Sequence, residues 1–183
     1  NNTPRTIGGQ NGIGIKALNI FCKLFKVITA YKNTKTEITW KNNMSEISSR
    51  NKSKVSAAEA KKIGVQVEFL PDYEKFGMKD MRTYPDTFKM LKKMAYDLAA
   101  TTPGYVNIHF NDEKIPIKTY EEYCKMYIDP DTIYMGIKLN ERWEVGISYH
   151  PDDEFTAISS VNGISTDKGG EHVRYITSQF EKY

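Results

Sequence analysis

The sequence predicts an α+β fold in two pieces, and three stretches predict it. Gly64–Leu70 alternates strictly, with Val65, Val67 and Phe69 to one side and Gln66 and Glu68 to the other, the pattern of a half-buried strand. Thr83-Tyr84-Pro85-Asp86 supplies a hydroxyl cap, an early proline and an acid three residues on, which opens a helix running to about Ala100. Ile133–Leu139, Trp143–Tyr149 and Phe155–Val161 alternate as three more strands with hairpin-length links. A sheet with helices packed on one face follows for Gly8–Lys118, and a second α+β piece after it.

Taken in order, the chain opens on its most distinctive stretch, Ile7–Phe21, where four glycines lie within seven residues ahead of a helical pattern. Ile15, Leu18 and Cys22 recur at helical spacing, so the helix is expected to start near Asn11 or Gly12. A helix start carries unpaired N–H groups and a partial positive charge, which suits an anion such as phosphate. Lys16, four residues after Gly12, is expected on the same helix face, with its ammonium leaning back over Gly12 and Gly14. The plainer alternative is a glycine-rich turn that caps an ordinary helix. Two familiar nucleotide motifs fail. Gly9 and Gly14 have the Walker separation, but Ile15 and Ala17 stand where Lys and a hydroxyl are needed. Gly12-x-Gly14-x-x-Ala17 resembles the dinucleotide fingerprint, yet Thr3-Pro4-Arg5-Thr6 before it does not read as a strand.

Phe25–Tyr31 and Thr36–Trp40 read as strands joined by Lys32-Asn33-Thr34-Lys35, and Asn42-Asn43 as a further turn. Ser45 to Lys62 is polar, with Arg50, Lys52, Lys54, Lys61 and Lys62, and reads as a solvated excursion that could add to DNA attraction in a larger assembly. In the helix to Ala100, Phe88, Leu91, Ala95 and Leu98 form the expected core stripe, while Lys89, Lys92 and Lys93 face water. Pro103-Gly104 ends it. Tyr105–Phe110 is the next expected strand, and Asn111-Asp112-Glu113 turns the chain into Lys114–Lys118. Tyr120–Met126 is a short helix, Asn140-Glu141-Arg142 and Pro151-Asp152-Asp153-Glu154 are turns, and a final helix places Val173, Ile176 and Phe180 on one face. Trp40 and Trp143 are expected in the strand core.

The 183 residues suffice for one large domain or parts of two, and no apolar run reaches the ~18 residues of a membrane helix. Asn1-Asn2-Thr3-Pro4 is not a signal peptide. Cys22 and Cys124 are expected as buried free thiols of an intracellular protein. A net charge of +3 is too small to argue for nucleic acid by itself. His109, His150 and His172 are scattered and neither cysteine lies at ligand spacing from them, so no zinc site is expected. Asp72, Glu74, Asp152 and Asp153 read as turn carboxylates, with no paired acid and base. His172, in the first turn of the last helix, is expected to pack or cap, with an interface role as the alternative.

The glycine run resembles the phosphate-binding lid of the GHKL ATPases, in the form found in eukaryotic-type type IIA DNA topoisomerases. That pattern is Gly-Gly-Arg-Asn-Gly-Tyr-Gly-Ala-Lys, then an apolar helix ending in Asn-Ile-Phe. Here it reads Gly8-Gly9-Gln10-Asn11-Gly12-Ile13-Gly14-Ile15-Lys16, then Asn19-Ile20-Phe21. The departures are Gln10, Ile13 and Ile15. Phe69-Leu70-Pro71-Asp72 with Phe76, Lys92–Ala99, and Phe110-Asn111 through Ile115-Pro116-Ile117-Lys118 resemble three further segments of that ATPase domain, in order. Trp143-Glu144-Val145 and Val161–Val173, with Thr166, Gly169-Gly170 and His172, are similar to the opening of the family's transducer domain. The resemblance covers nearly the whole chain.

It implies the C-terminal half of a GHKL ATPase sandwich, a mixed sheet with helices on one face, over residues 1–118. The first part of an S5-like transducer domain is implied over 119–183. It implies an ATP-binding gate that couples ATP binding and hydrolysis to passage of one DNA duplex through another, in a homodimer using ATP and Mg²⁺. Nucleotide contacts are expected from Gly9, Gln10, Asn11, Gly12, Ile13, Gly14, Ile15 and Lys16. The family's general base, magnesium-binding Asn and Gln-Thr-Lys loop have no counterpart here, so the chain reads as a fragment that does not hydrolyse ATP by itself. The expected location is the nucleus of a eukaryote, or host cytoplasm for a large DNA virus of the African swine fever type, the source that the departures suggest. The alternatives are another GHKL clamp of the chaperone or mismatch-repair type and a non-enzymatic nucleotide-binding module.

Overall fold

The structure is a computed structural model and describes residues 8–9, 11–150 and 155–181. The predicted turn at 151–154 and the Thr3–Thr6 stretch lie outside the described residues. The chain divides into two compact units, Gly9–Pro85 and Asp86–Tyr183, the latter taking in Gly8.

The first unit contains α1 (Gly14–Ile20), β1 (Cys22–Tyr31), β2 (Thr34–Lys41), β3 (Glu46–Lys54), α2 (Ala57–Ile63) and β4 (Val65–Pro71). The strands form one sheet in the order β3-β2-β1-β4. Every pairing in it is antiparallel, where a mixed sheet is expected. For two of the pairings the reason is local: short links join β1 to β2 and β2 to β3, and a short link lets the chain only double back, while β4 reaches the other side of β1 after α2. Lys32, at φ 53°, makes the first turn, and Asn42, Asn43 and Met44, at φ 51°, 59° and 69°, make the second. Phe25 stands at the centre, 2% exposed, opposite Trp40 on one side and Phe69 on the other. Its ring lies 6.1 and 6.5 Å from theirs, so Trp40 does belong to the sheet's packing.

The supposed excursion at 45–62 is regular structure. Arg50–Lys54 belong to β3, and Lys61 and Lys62 to α2. β3 is an edge strand with polar side chains on both faces, so the alternation that betrays a half-buried strand is missing. α2 is opened by a capping box. The Ser56 hydroxyl accepts from the Glu59 N–H at 3.2 Å, and the Glu59 carboxylate accepts from the Ser56 N–H at 3.0 Å. Ala60 of α2 is buried and α2 packs on β1, where Ile28 is buried too.

The second unit runs α3 (Pro85–Thr101), β5 (His109–Phe110), β6 (Glu113–Lys114), α4 (Tyr120–Cys124), β7 (Tyr134–Asn140), β8 (Trp143–Ser148), β9 (Ser160–Val161), β10 (Ile164–Ser165) and α5 (Glu171–Phe180). Its core is Ala99, Ile115, Ile117 and Tyr123. The inward line of α3 is therefore Leu91, Ala95, Ala99, stepping by four, and not the line through Phe88 and Leu98, which are both exposed. The strands expected at Tyr105–Phe110 and Phe155–Val161 shrink to two residues each, because only those have a partner strand. The predicted helix Tyr120–Met126 tightens into a 3-10 turn at Lys125–Tyr127. Trp143 is more exposed than a core residue and packs on Tyr175 of α5, with ring centroids 6.2 Å apart. Phe180 is exposed, so only Val173 and Ile176 of the expected α5 stripe are partly covered.

Candidate functional site

From Gly9 on, the glycine run belongs to the first unit. Gly12 adopts φ +63°, a left-handed conformation open to glycine at no steric cost. That backbone cannot be the first turn of a right-handed helix. The helix consequently starts at Gly14, two or three residues later than its pattern suggests, with Ile13 as its N-cap. The first intrahelical bond runs from the Ala17 N–H to the Ile13 carbonyl at 2.8 Å. The amides of Gly14, Ile15 and Lys16 precede that bond, and Ile13 offers no side-chain acceptor.

Gly9, Asn11, Gly12, Ile13, Gly14, Ile15 and Lys16 are all exposed on this one loop and turn. Gln10 lies outside the described residues. A Cβ built on Gly9, Gly12 or Gly14 meets nothing within 4 Å. These glycines are thus not required by crowding from the chain itself, and only Gly12 is required by its backbone. Lys16 lies in the first turn, so its side chain leans toward the loop. The expected i,i+4 placement over Gly12 does not hold, because Gly12 is outside the helix.

The other end of α1 is fastened. Asn19 is buried. The Cys22 thiol donates to the Leu18 carbonyl at 3.0 Å, and burial pushes its pKa up. The Phe21 carbonyl accepts from the Asp72 N–H at 2.8 Å, and the Phe21 and Phe76 rings lie 5.4 Å apart. Asp72, which reads in the sequence as a turn carboxylate, is 6% exposed and acts as a hub. It accepts from the Asn43 amide at 3.2 Å and pairs with Lys23 at 3.6 Å; Lys23 also reaches Glu74 at 3.4 Å. Its position at the end of a strand, after a proline, was the available signal.

The loop offers open space, unpaired first-turn N–H groups and the nearby Lys16, a set that suits an anion. The loop presents no carboxylate for a cation. Among the described residues no three His, Cys, Asp or Glu side chains converge as a metal site. In the second unit, His172 Nε2 lies 3.1 Å from the Thr166 hydroxyl, which lies 2.6 Å from that of Ser159. This holds the start of α5 to the preceding loop. Cys22 and Cys124 are both free, and burial raises the Cys124 thiol as well.

The chain is 34% identical over 194 residues to DNA topoisomerase 2 of Meyerozyma guilliermondii, across 96% of this chain and 13% of that protein. It is 34% identical over 185 residues to DNA topoisomerase 2 of Acanthamoeba polyphaga mimivirus, across 97% of this chain and 14% of that one. The chain belongs to the type II DNA topoisomerase family. A crystal structure of the ATPase and transducer domains of DNA topoisomerase II from Balamuthia mandrillaris superposes with a TM-score of 0.87 at 31% identity. That match covers 97% of this chain and 45% of the other. No family model matches. Relative to the curated topoisomerases it matches, the chain spans 13–14% of their length. The α+β fold agrees with that topoisomerase region. No described helix is long and apolar enough to cross a membrane.

Proposed function

We propose that the chain is part of the ATP-binding gate of a type IIA DNA topoisomerase and that Gly9–Lys16 is its phosphate cradle. The observation that carries this is the open space over Gly9, Gly12 and Gly14, beside the first-turn amides of α1. Backbone N–H groups of Gly9–Gly14 hold the phosphates, and Lys16 neutralises charge. Residues 1–118 form part of the nucleotide-binding domain and 119–183 part of the transducer. In the whole protein, ATP closes two protomers into a clamp on duplex DNA and hydrolysis resets it. Magnesium accompanies the nucleotide, and no residue of this chain is assigned to it. The place of action is the nucleus of a eukaryote, or host cytoplasm if the source is a large DNA virus.

Gly14→Ala tests the cradle. Alanine is the better helix former by up to about 1 kcal/mol, and its Cβ meets no protein atom. Thermal stability should hold or rise, while affinity for a non-hydrolysable ATP analogue falls at least tenfold in calorimetric titration. Unchanged affinity would leave the glycine run as a helix-capping turn.

A further inference from the structure

The modest net charge conceals a strong division. Residues 9–85 carry fourteen Lys and Arg against seven Asp and Glu, a formal +7. Residues 86–183 carry eleven against sixteen, a formal −5. Within the basic unit the cations are sorted again. Arg50, Lys52 and Lys54 alternate along the edge strand β3, so they share one face. Opposite them on β2 stand Ile38, Thr36 and Thr34, none of them acidic. Glu37 lies on the other face, opposite Asn51, and is occupied there by Lys26 and Lys35 at 3.4 Å each. Glu68 pairs with Lys26 at 3.8 Å. The inner-strand acid Glu37 and the exposed Glu68 of the opposite edge strand are thereby spent on Lys26 and Lys35, while the three β3 cations are exposed.

We infer that Arg50, Lys52 and Lys54 form a docking strip for the phosphate backbone of duplex DNA. Alternate residues of a strand repeat roughly every 6.7 Å. Successive phosphates advance about 3.4 Å along the duplex axis. The backbone winds around that axis, so neighbouring phosphates lie further apart than the rise, and a strand laid along the backbone brings its three cations to three neighbouring phosphates. Such contacts carry no base information, so the strip binds without sequence preference. The choice of duplex DNA over another polyanion rests on the topoisomerase reading above; the strip itself rests on the charge pattern.

The test is fluorescence anisotropy of a labelled duplex titrated with the full 183-residue chain at salt from 50 to 200 mM, without nucleotide. The triple variant Arg50→Gln, Lys52→Gln, Lys54→Gln should flatten the slope of log K against log salt by about 2.7 for three phosphates lost. That is about a fortyfold smaller change in affinity over this range. A control triple in the acidic unit, Lys92→Gln, Lys114→Gln, Lys168→Gln, should leave the slope as it was. Circular dichroism of each variant matching the parent shows that folding is not what changed. Equal slopes in parent and β3 variant, or dependence on the strip for polyglutamate but not for duplex, overturn the inference. The ATP-analogue titration reads a different surface, so either reading can fail while the other stands.

Discussion

The Asp72 N–H donates to the Phe21 carbonyl at 2.8 Å, joining the end of the lid helix to the end of β4. The same residue's carboxylate holds Asn43 from the β2–β3 turn and Lys23 from β1. One aspartate thus fixes where α1 leaves the sheet, and α1 in turn presents the glycine loop.

Asp72→Ala should cost about 2 kcal/mol. The Asn43 amide loses a charged acceptor, worth about 1.5–3 kcal/mol, and the half-exposed Lys23 adds little. Urea unfolding with an unchanged slope and a lower midpoint is the expected result. A midpoint equal to that of the parent removes the hub role.

Lys16→Ala should weaken binding of a non-hydrolysable ATP analogue by about 1.5–3 kcal/mol, the scale of a charge-assisted hydrogen bond. Its exposure means that stability should scarcely move. Calorimetry showing parental affinity takes Lys16 out of the cradle.

Tyr123 tests the second unit's core. Its hydroxyl donates to the Asp97 carboxylate at 2.5 Å, and Lys93 pairs with the same carboxylate at 2.8 Å. Tyr123 is buried, and burial first, then Asp97, pushes its pKa well above the usual phenol range. Tyr123→Phe should destabilise by about 1.5–3 kcal/mol in urea unfolding, because a bond to a charged group is lost. A loss under about 0.5 kcal/mol would show water replacing the hydroxyl there.

Glu122 gives a pH prediction. Its carboxylate accepts from the N–H groups of Lys118 at 2.6 Å and Thr119 at 3.2 Å, and the Lys118 bond, followed by that of Thr119, holds its pKa below the usual range. The folded pKa is depressed, so the stability is present above the unfolded value near 4.3 and is lost as pH falls through the folded one. Glu122→Gln should flatten the melting temperature against pH in that acid window and nowhere else. A parallel curve for the variant counts against the cap as the source.

Much of this was legible in the residues, and the failures share a cause. β4 and α3 announce themselves as elements, since alternation and a proline-led cap are local signals, but β4 is exposed from Val65 to Leu70 and is not the half-buried strand its alternation suggests. β3 stayed hidden because an edge strand with solvent on both faces needs no apolar rhythm. The capping box Ser56-Ala57-Ala58-Glu59 does spell the start of α2, but the surrounding charge masks it. The glycine run pointed to the loop correctly and misplaced the helix, since spacing cannot reveal that Gly12 takes a left-handed φ. Asp72 was visible as a letter, while its three partners come from Lys23, Asn43 and the backbone of Phe21, distant in sequence.

The two borders of the four-stranded sheet differ in kind. β3 ends it with alternating cations and a register shift at Thr39/Trp40, features that repel a strand from another molecule. β4 ends it with Val65, Val67 and Phe69 all exposed. Charge therefore opposes a further strand at β3 more than at β4, and polymerisation through both borders at once is disfavoured.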